Sequence, residues 1–190
     1  LSDPSTGAEF INITHSSLTN SANAYANYRD TNTVNQFSTK VVFIDEIYNE
    51  FGYGSITPWA IKRFCKYAID NWSTAPRFFL LWGKGQVRTR NSPLNLVPTA
   101  GHPATDYDFV SDYNPFARNV VPEVPIGRVN VENDQEGLVY LAKMDEYEHT
   151  PWDSWMKQTV FLGGGEDTTE QKPILTYLRD FYASEVQGTP

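Results

Sequence analysis

One cysteine in 190 residues, Cys65, has no partner for an internal disulfide, and it leaves the redox compartment open. Basic residues are outnumbered, with 15 Lys and Arg against 23 Asp and Glu. The resulting net charge of −8 argues against a nucleic-acid partner, which would need clustered cations. No apolar run is long enough to span a bilayer, and no signal-peptide pattern opens the chain. Internal repeats are absent too, so a solenoid is not expected. What the chain does have is 40% hydrophobic and 14% aromatic residues, enough to build a core, which excludes disorder as the class. Its length allows one domain, or one and a part.

The stretch from Lys40 to Asn71 organises the rest. Lys40 to Ile44 is a short β-branched and aromatic run, expected as a strand buried on both faces of a parallel sheet. A loop follows. Thr57 then offers a capping hydroxyl, and Pro58 takes the first helical position, where its missing N–H costs nothing. Ala60, Ile61, Phe64, Cys65, Ala68 and Ile69 make one apolar helical stripe, with Lys62, Arg63 and Lys66 on the other side. A buried strand feeding an amphipathic helix is half of a βαβ unit.

Read in order, residues 1–8 are expected as a tail or linker, and Glu9 to Thr14 as a first strand. A capping turn at 14–17 precedes a helix with Leu18, Ala22, Tyr25 and Ala26 on its apolar face. Arg77 to Trp82 is a third strand, followed by a long polar segment from Gln86 to Pro122, a length that is usually functional. Val124 to Val129 is a fourth strand. Asn133 caps a helix that Thr150-Pro151 stops. Gln158 to Leu162 is a fifth strand, and a last helix shows Ile174, Leu175, Leu178, Phe181 and Tyr182 on one face, with Pro173 as an early residue. Five strands alternating with four helices predict an α/β fold, a doubly wound, mainly parallel sheet flanked by helices. The division is a first α/β subdomain over 9–150 and the opening strand and helix of a second over 151–190.

Several motifs carry a family resemblance. The run from Asp45 to Gly54, then Thr57 to Phe64, resembles the "IYNEFxxG…AI+xF" segment of the gingipain-like cysteine peptidases. That group takes in the gingipains and the sortase-type peptidases of the bacterial type IX secretion system. Phe78–Gly83 is similar to the family's "YVLLVGD" strand, Asn95–Thr99 to its "N-L-[IV]-P-T" segment, and Ala104–Tyr107 to "ATDxxY". Val124–Val129 resembles "P-x-[IL]-G-R-[LV]", and Lys143–Glu148 resembles "K-I-x-x-YE". Lys84 departs from the pattern, which commonly has an acid after the third strand's glycine. The resemblance implies a caspase- or gingipain-like fold with a flavodoxin-like first subdomain. It also implies proteolysis of a protein or peptide substrate through a second subdomain, and secretion or cell-surface display in a bacterium. The family's catalytic His, in a "GHG" segment, and its catalytic Cys match no residue here. The chain is therefore expected to be the N-terminal, non-dyad portion of such an endopeptidase. A non-catalytic flavodoxin-like binding module and a calcium-stabilised structural domain of a surface protein are the alternatives.

Candidate site residues follow from position and chemistry. Cys65 lies on the apolar stripe and reads as a core residue, where a thiol's pKa rises rather than falls. His15 follows the first strand at the carboxyl end of the sheet, where ligands bind in open α/β folds, and it is a substrate-binding candidate. His102 lies in the long loop, and His149, at a helix C-terminus, suits the dipole. The resemblance implies that Asp106 supports the missing His, as the acid of a triad does, and that Asp112 lines the substrate pocket. A solvated loop is the plain alternative, and a calcium site on Asp106 and Asp108 is another, since clustered carboxylates suit that cation. No cofactor is required by any of these readings except the last. Gly83-Lys84-Gly85, with Arg88 and Arg90, resembles a phosphate cradle but lacks the nucleotide-binding spacings. Asn12-Ile13-Thr14 and Asn71-Trp72-Ser73 match the glycosylation pattern, the first within a core strand.

Overall fold

A parallel sheet of four strands in the order β2-β1-β3-β4 is the frame: β1 Phe10–Thr14, β2 Thr39–Phe43, β3 Phe78–Trp82 and β4 Ile126–Val129. The computed structural model describes residues 1–32, 36–86, 92, 95–101, 103–111, 121–151, 153–162 and 168–186. The chain forms two compact units, Leu1–Glu148 and His149–Pro190.

Alternation along the strands sorts side chains onto the two faces of the sheet. Ile11, Ile13, Phe79 and Leu81 point to one face, where α2 (Ile44–Phe51) and α3 (Pro58–Asn71) bury Ile47, Ile61, Phe64 and Ala68 against them. Phe10, Leu80 and Trp82 point to the other, against Leu18, Ala22 and Tyr25 of the α1 region (α1 is Thr19–Thr31), with Leu141 and Met144 of α4 (Asp134–His149) packed beside them. Helices on both faces make the sheet doubly wound, as expected.

Local signals in the sequence act as their chemistry requires. Thr57 caps α3, its hydroxyl accepting the Trp59 N–H, with Pro58 at the first position. Asn133 caps α4 by accepting the Glu136 N–H at 3.0 Å, while Glu136 reaches back to the Glu132 N–H at 2.8 Å. The far end of α4 is tied to α1 through Glu148, which accepts from Arg29 and the Tyr28 hydroxyl at 2.8 Å and from Asn32 at 3.0 Å. α4 approaches α1 closely at Gly137, since a β-carbon there would lie 2.5 Å from the Ser21 Cβ.

Five expectations need correction. β2 is an edge strand, and only Val42 of its five residues is buried. The strands enclosed on both faces are β1 and β3, because the hydrophobic run at 40–44 feeds Ile44 into a helix instead. The loop expected after it is α2, whose first turn carries Asp45 and Glu46 against the helix's positive end. Residues 1–8 are no loose tail. Trp72 Nε1 donates to the Leu1 carbonyl, Ser73 N to that of Pro4, and Ala8 is in the core. In the second unit, 158–162 joins no multi-residue strand among the described residues, and Val160 and Leu162 are exposed. A strand needs a neighbour to satisfy its backbone, and an apolar run alone does not provide one. Pro173 lies inside α5 (Thr168–Phe181) rather than at its start.

Candidate functional site

In strand order 2-1-3-4, α1 leaves β1 on one face and α3 returns to β3 on the other. The carboxyl ends of β1 and β3 are therefore the topological switch point, where open α/β sheets hold ligands. His15 ends β1, and its Nδ1 accepts the Ser17 N–H at 3.1 Å and lies 2.8 Å from the Ser17 hydroxyl. That acceptor role leaves the neutral ring's proton on Nε2. The imidazole thus caps the short turn Ser16–Leu18 that opens the α1 region.

Gly83 ends β3 with φ 146°, and a side chain there would press on Leu18, Leu96 and Val97. The segment 95–98 crosses this end of the sheet, with the Leu96 and Val97 N–H groups donating to the Lys84 carbonyl at 2.9 and 3.0 Å. Gly85 allows the crossing, since a β-carbon on it would lie 2.5 Å from the Val97 carbonyl oxygen. The Lys84 ammonium is paired with Glu132. The glycines that resembled a phosphate cradle are instead the floor on which the loop packs. Arg88 and Arg90 lie outside the described residues.

Arg128 of β4 holds this arrangement together. Its Nε and Nη2 make a fork on both oxygens of Asp106, each at 2.8 Å. Its remaining N–H groups reach the carbonyls of Gly83 at 2.8 Å, Val97 at 2.7 Å and Pro98 at 3.3 Å. A guanidinium has five N–H donors in a rigid fork, and every one is used. Asp106 opens the turn Tyr107–Phe109, so the pair pins 95–98 and 105–111 onto the sheet, with Val97, Phe109 and Val110 in the core.

Of the candidates read from sequence, Asp106 is thus bonded to Arg128, while His15 is bonded within its own turn. No hydrogen bond or ion pair joins His15 to Asp106 or Asp108. Asp108 lies near Gly101, whose β-carbon would come within 3.3 Å of its Oδ2. Among the described residues no three His, Cys, Asp or Glu side chains converge as a metal site would require. Asp112 and His102 lie outside the described residues. Cys65 is fully buried on α3, and burial pushes its thiol well above the ordinary range, which removes the thiolate a nucleophile needs. Asn12 is buried, with Nδ2 donating to the Ala22 carbonyl, so its glycosylation pattern is inaccessible; Asn71 is exposed at the end of α3.

Arg128 lies within the Val124–Val129 motif, where the resemblance gives it no role. A lone arginine in an otherwise apolar strand was the available signal, because a cation there needs a carboxylate and several carbonyls close by.

A family model described as Peptidase family C25 matches residues 3–189. No curated protein matches the chain. Among solved structures, dimeric latent PorU from Porphyromonas gingivalis is similar, with a TM-score of 0.60 and 20% identity. The match covers 75% of this chain and 16% of that one. At that identity the likeness is one of fold. No helix among the described residues is long and apolar enough to cross a membrane.

Proposed function

This chain belongs to peptidase family C25, the gingipain family, and from that membership we propose that it is the N-terminal, non-dyad portion of a secreted or cell-surface cysteine endopeptidase. In this reading the first unit is a scaffold, and the family's nucleophile and base come from a second subdomain that also receives the protein or peptide substrate. The observation that carries it is Cys65: the chain's single thiol is fully buried and its pKa raised, so it cannot serve as a peptidase nucleophile. The plugged switch point supports the same reading, because 95–98 and Arg128 occupy the place where an open α/β sheet would bind a ligand of its own. Asp106 is proposed to act for the catalytic histidine at one remove, by fixing the loop that faces it, with its carboxylate oriented by Arg128. Asp112 and His15 are the substrate-side candidates.

The test is to treat the native 190-residue chain with iodoacetamide and assay it for peptide cleavage. Cys65 is expected to stay unmodified until the protein is unfolded, and no cleavage is expected. Rapid native labelling together with cleavage would overturn the proposal. The reading requires no cofactor. A thermal melt that rises with calcium and falls with chelator would instead favour the calcium-stabilised domain, since a ligand of the native state stabilises it by mass action.

A further inference from the structure

The outer face of α3 is not a plain solvated helix surface. Trp59, Lys62, Arg63, Lys66, Tyr67, Asn71 and the single acid Asp70 line an open trough of about 530 Å³ along the helix. Trp59 is 58% exposed at its upper end, and no protein group among the described residues accepts its indole N–H. Tyr53 and Ile56, in the turn just before α3, are 90% and 45% exposed. The Tyr67 hydroxyl is anchored on the Ser2 carbonyl at 2.6 Å, which keeps that wall in place.

Charge singles out what would sit there. Lys66 is balanced within the protein, 2.9 Å from Glu123 and 3.4 Å from Asp70. Lys62 and Arg63 have no carboxylate partner among the described residues; Arg63 is exposed and spends one N–H on the Phe51 carbonyl at 2.8 Å. A chain of net charge −8 therefore presents two uncompensated cations beside an exposed indole. We infer that this trough docks an acidic peptide segment of a partner protein, with its carboxylates on Lys62 and Arg63 and an apolar side chain on Trp59. An extended anionic surface such as a lipid bilayer fits less well, because it would meet the repulsion of the whole negative chain, whereas a short segment meets only the local patch. The inference is independent of the peptidase reading.

Fluorescence anisotropy of a fluorescein-labelled peptide alternating Glu with Leu, titrated with the 190-residue chain, tests it. A Lys/Leu peptide of equal length and phosphatidylglycerol vesicles serve as comparison probes. Saturable binding of the Glu/Leu peptide is expected, weakening as salt is raised. The paired variant Lys62→Glu with Arg63→Glu is expected to lose roughly tenfold or more in affinity, as is Trp59→Ser. All three residues lie on the outer face of α3, and unchanged circular dichroism would certify that the variants are folded. No saturable binding, equal binding of the Lys/Leu peptide, full affinity in the charge-reversed variant, or binding to the vesicles alone would each overturn the proposal.

Discussion

Replacing Arg128 with lysine keeps the charge and removes the fork. A lysine ammonium has three donors on one nitrogen and cannot reach both Asp106 oxygens and the Gly83, Val97 and Pro98 carbonyls together. Hydrogen bonds to charged groups contribute about 1.5–3 kcal/mol each, and two of these are to a carboxylate. The side chains of Arg128 and Asp106 are 14% and 21% exposed, so water recovers part of that loss. We expect Arg128→Lys to cost roughly 2–3 kcal/mol. Arg128→Ala should cost about 3–5 kcal/mol, because it leaves a mostly buried carboxylate without its partner. Urea denaturation of both variants and of Asp106→Asn, closed as a double-mutant cycle, should give a coupling of roughly 1–3 kcal/mol. In Arg128→Lys the Leu96 and Val97 amides should also exchange faster with solvent, since the loop that shelters them is no longer clamped. An Arg128→Ala loss below about 1 kcal/mol, with no coupling to Asp106, would refute the clamp.

Three further expectations concern the first unit. Phe64→Ala should cost about 3–5 kcal/mol in chemical denaturation, because Phe64 is fully buried against Phe79 and Trp72, whereas Lys62→Ala should stay within about 0.5 kcal/mol; equal losses would mean the helix face is misassigned. Gly137→Ala should lower the melting temperature although alanine is the better helix former, at a cost of roughly 1–3 kcal/mol, since the new methyl meets Ser21 Cβ at 2.5 Å and Trp82 at 3.0 Å; a rise in melting temperature would contradict the close approach of α4 and α1. Burial would raise the Asp134 pKa, but hydrogen bonds from Ser21 and Asn20 outweigh it and hold the carboxyl below its ordinary 3.8. A depressed folded pKa stabilises the protein above the unfolded value, and that stability is lost as pH falls through the folded one. Acid titration of Asp134→Asn should therefore show a flatter stability loss below about pH 4 than the parent, and parallel acid limbs would count against these hydrogen bonds.

Much of the fold was legible because its signals are local. Thr57-Pro58 starts α3, and Asn133 with Glu136 starts α4, wherever the rest of the chain lies, since each bond closes within a turn. The stripe from Ala60 to Ala68 follows from the period of a helix, and the burial of Cys65 follows with it. The family, too, was readable from ordered motifs along one dimension. Tertiary structure alone decided which strand sits at the edge, because Lys40–Ile44 is as apolar as a central strand and only pairing separates the two. It also left 158–162 outside any multi-residue strand among the described residues, as a strand exists only with a neighbour. The role of Asp106 was beyond the sequence for the same reason. Its partner Arg128 lies 22 positions away, and the Gly83 and Val97 carbonyls that complete the clamp come from two further segments. A carboxylate's chemistry is set by what the fold brings within 3 Å of it, and neither composition nor spacing records that distance.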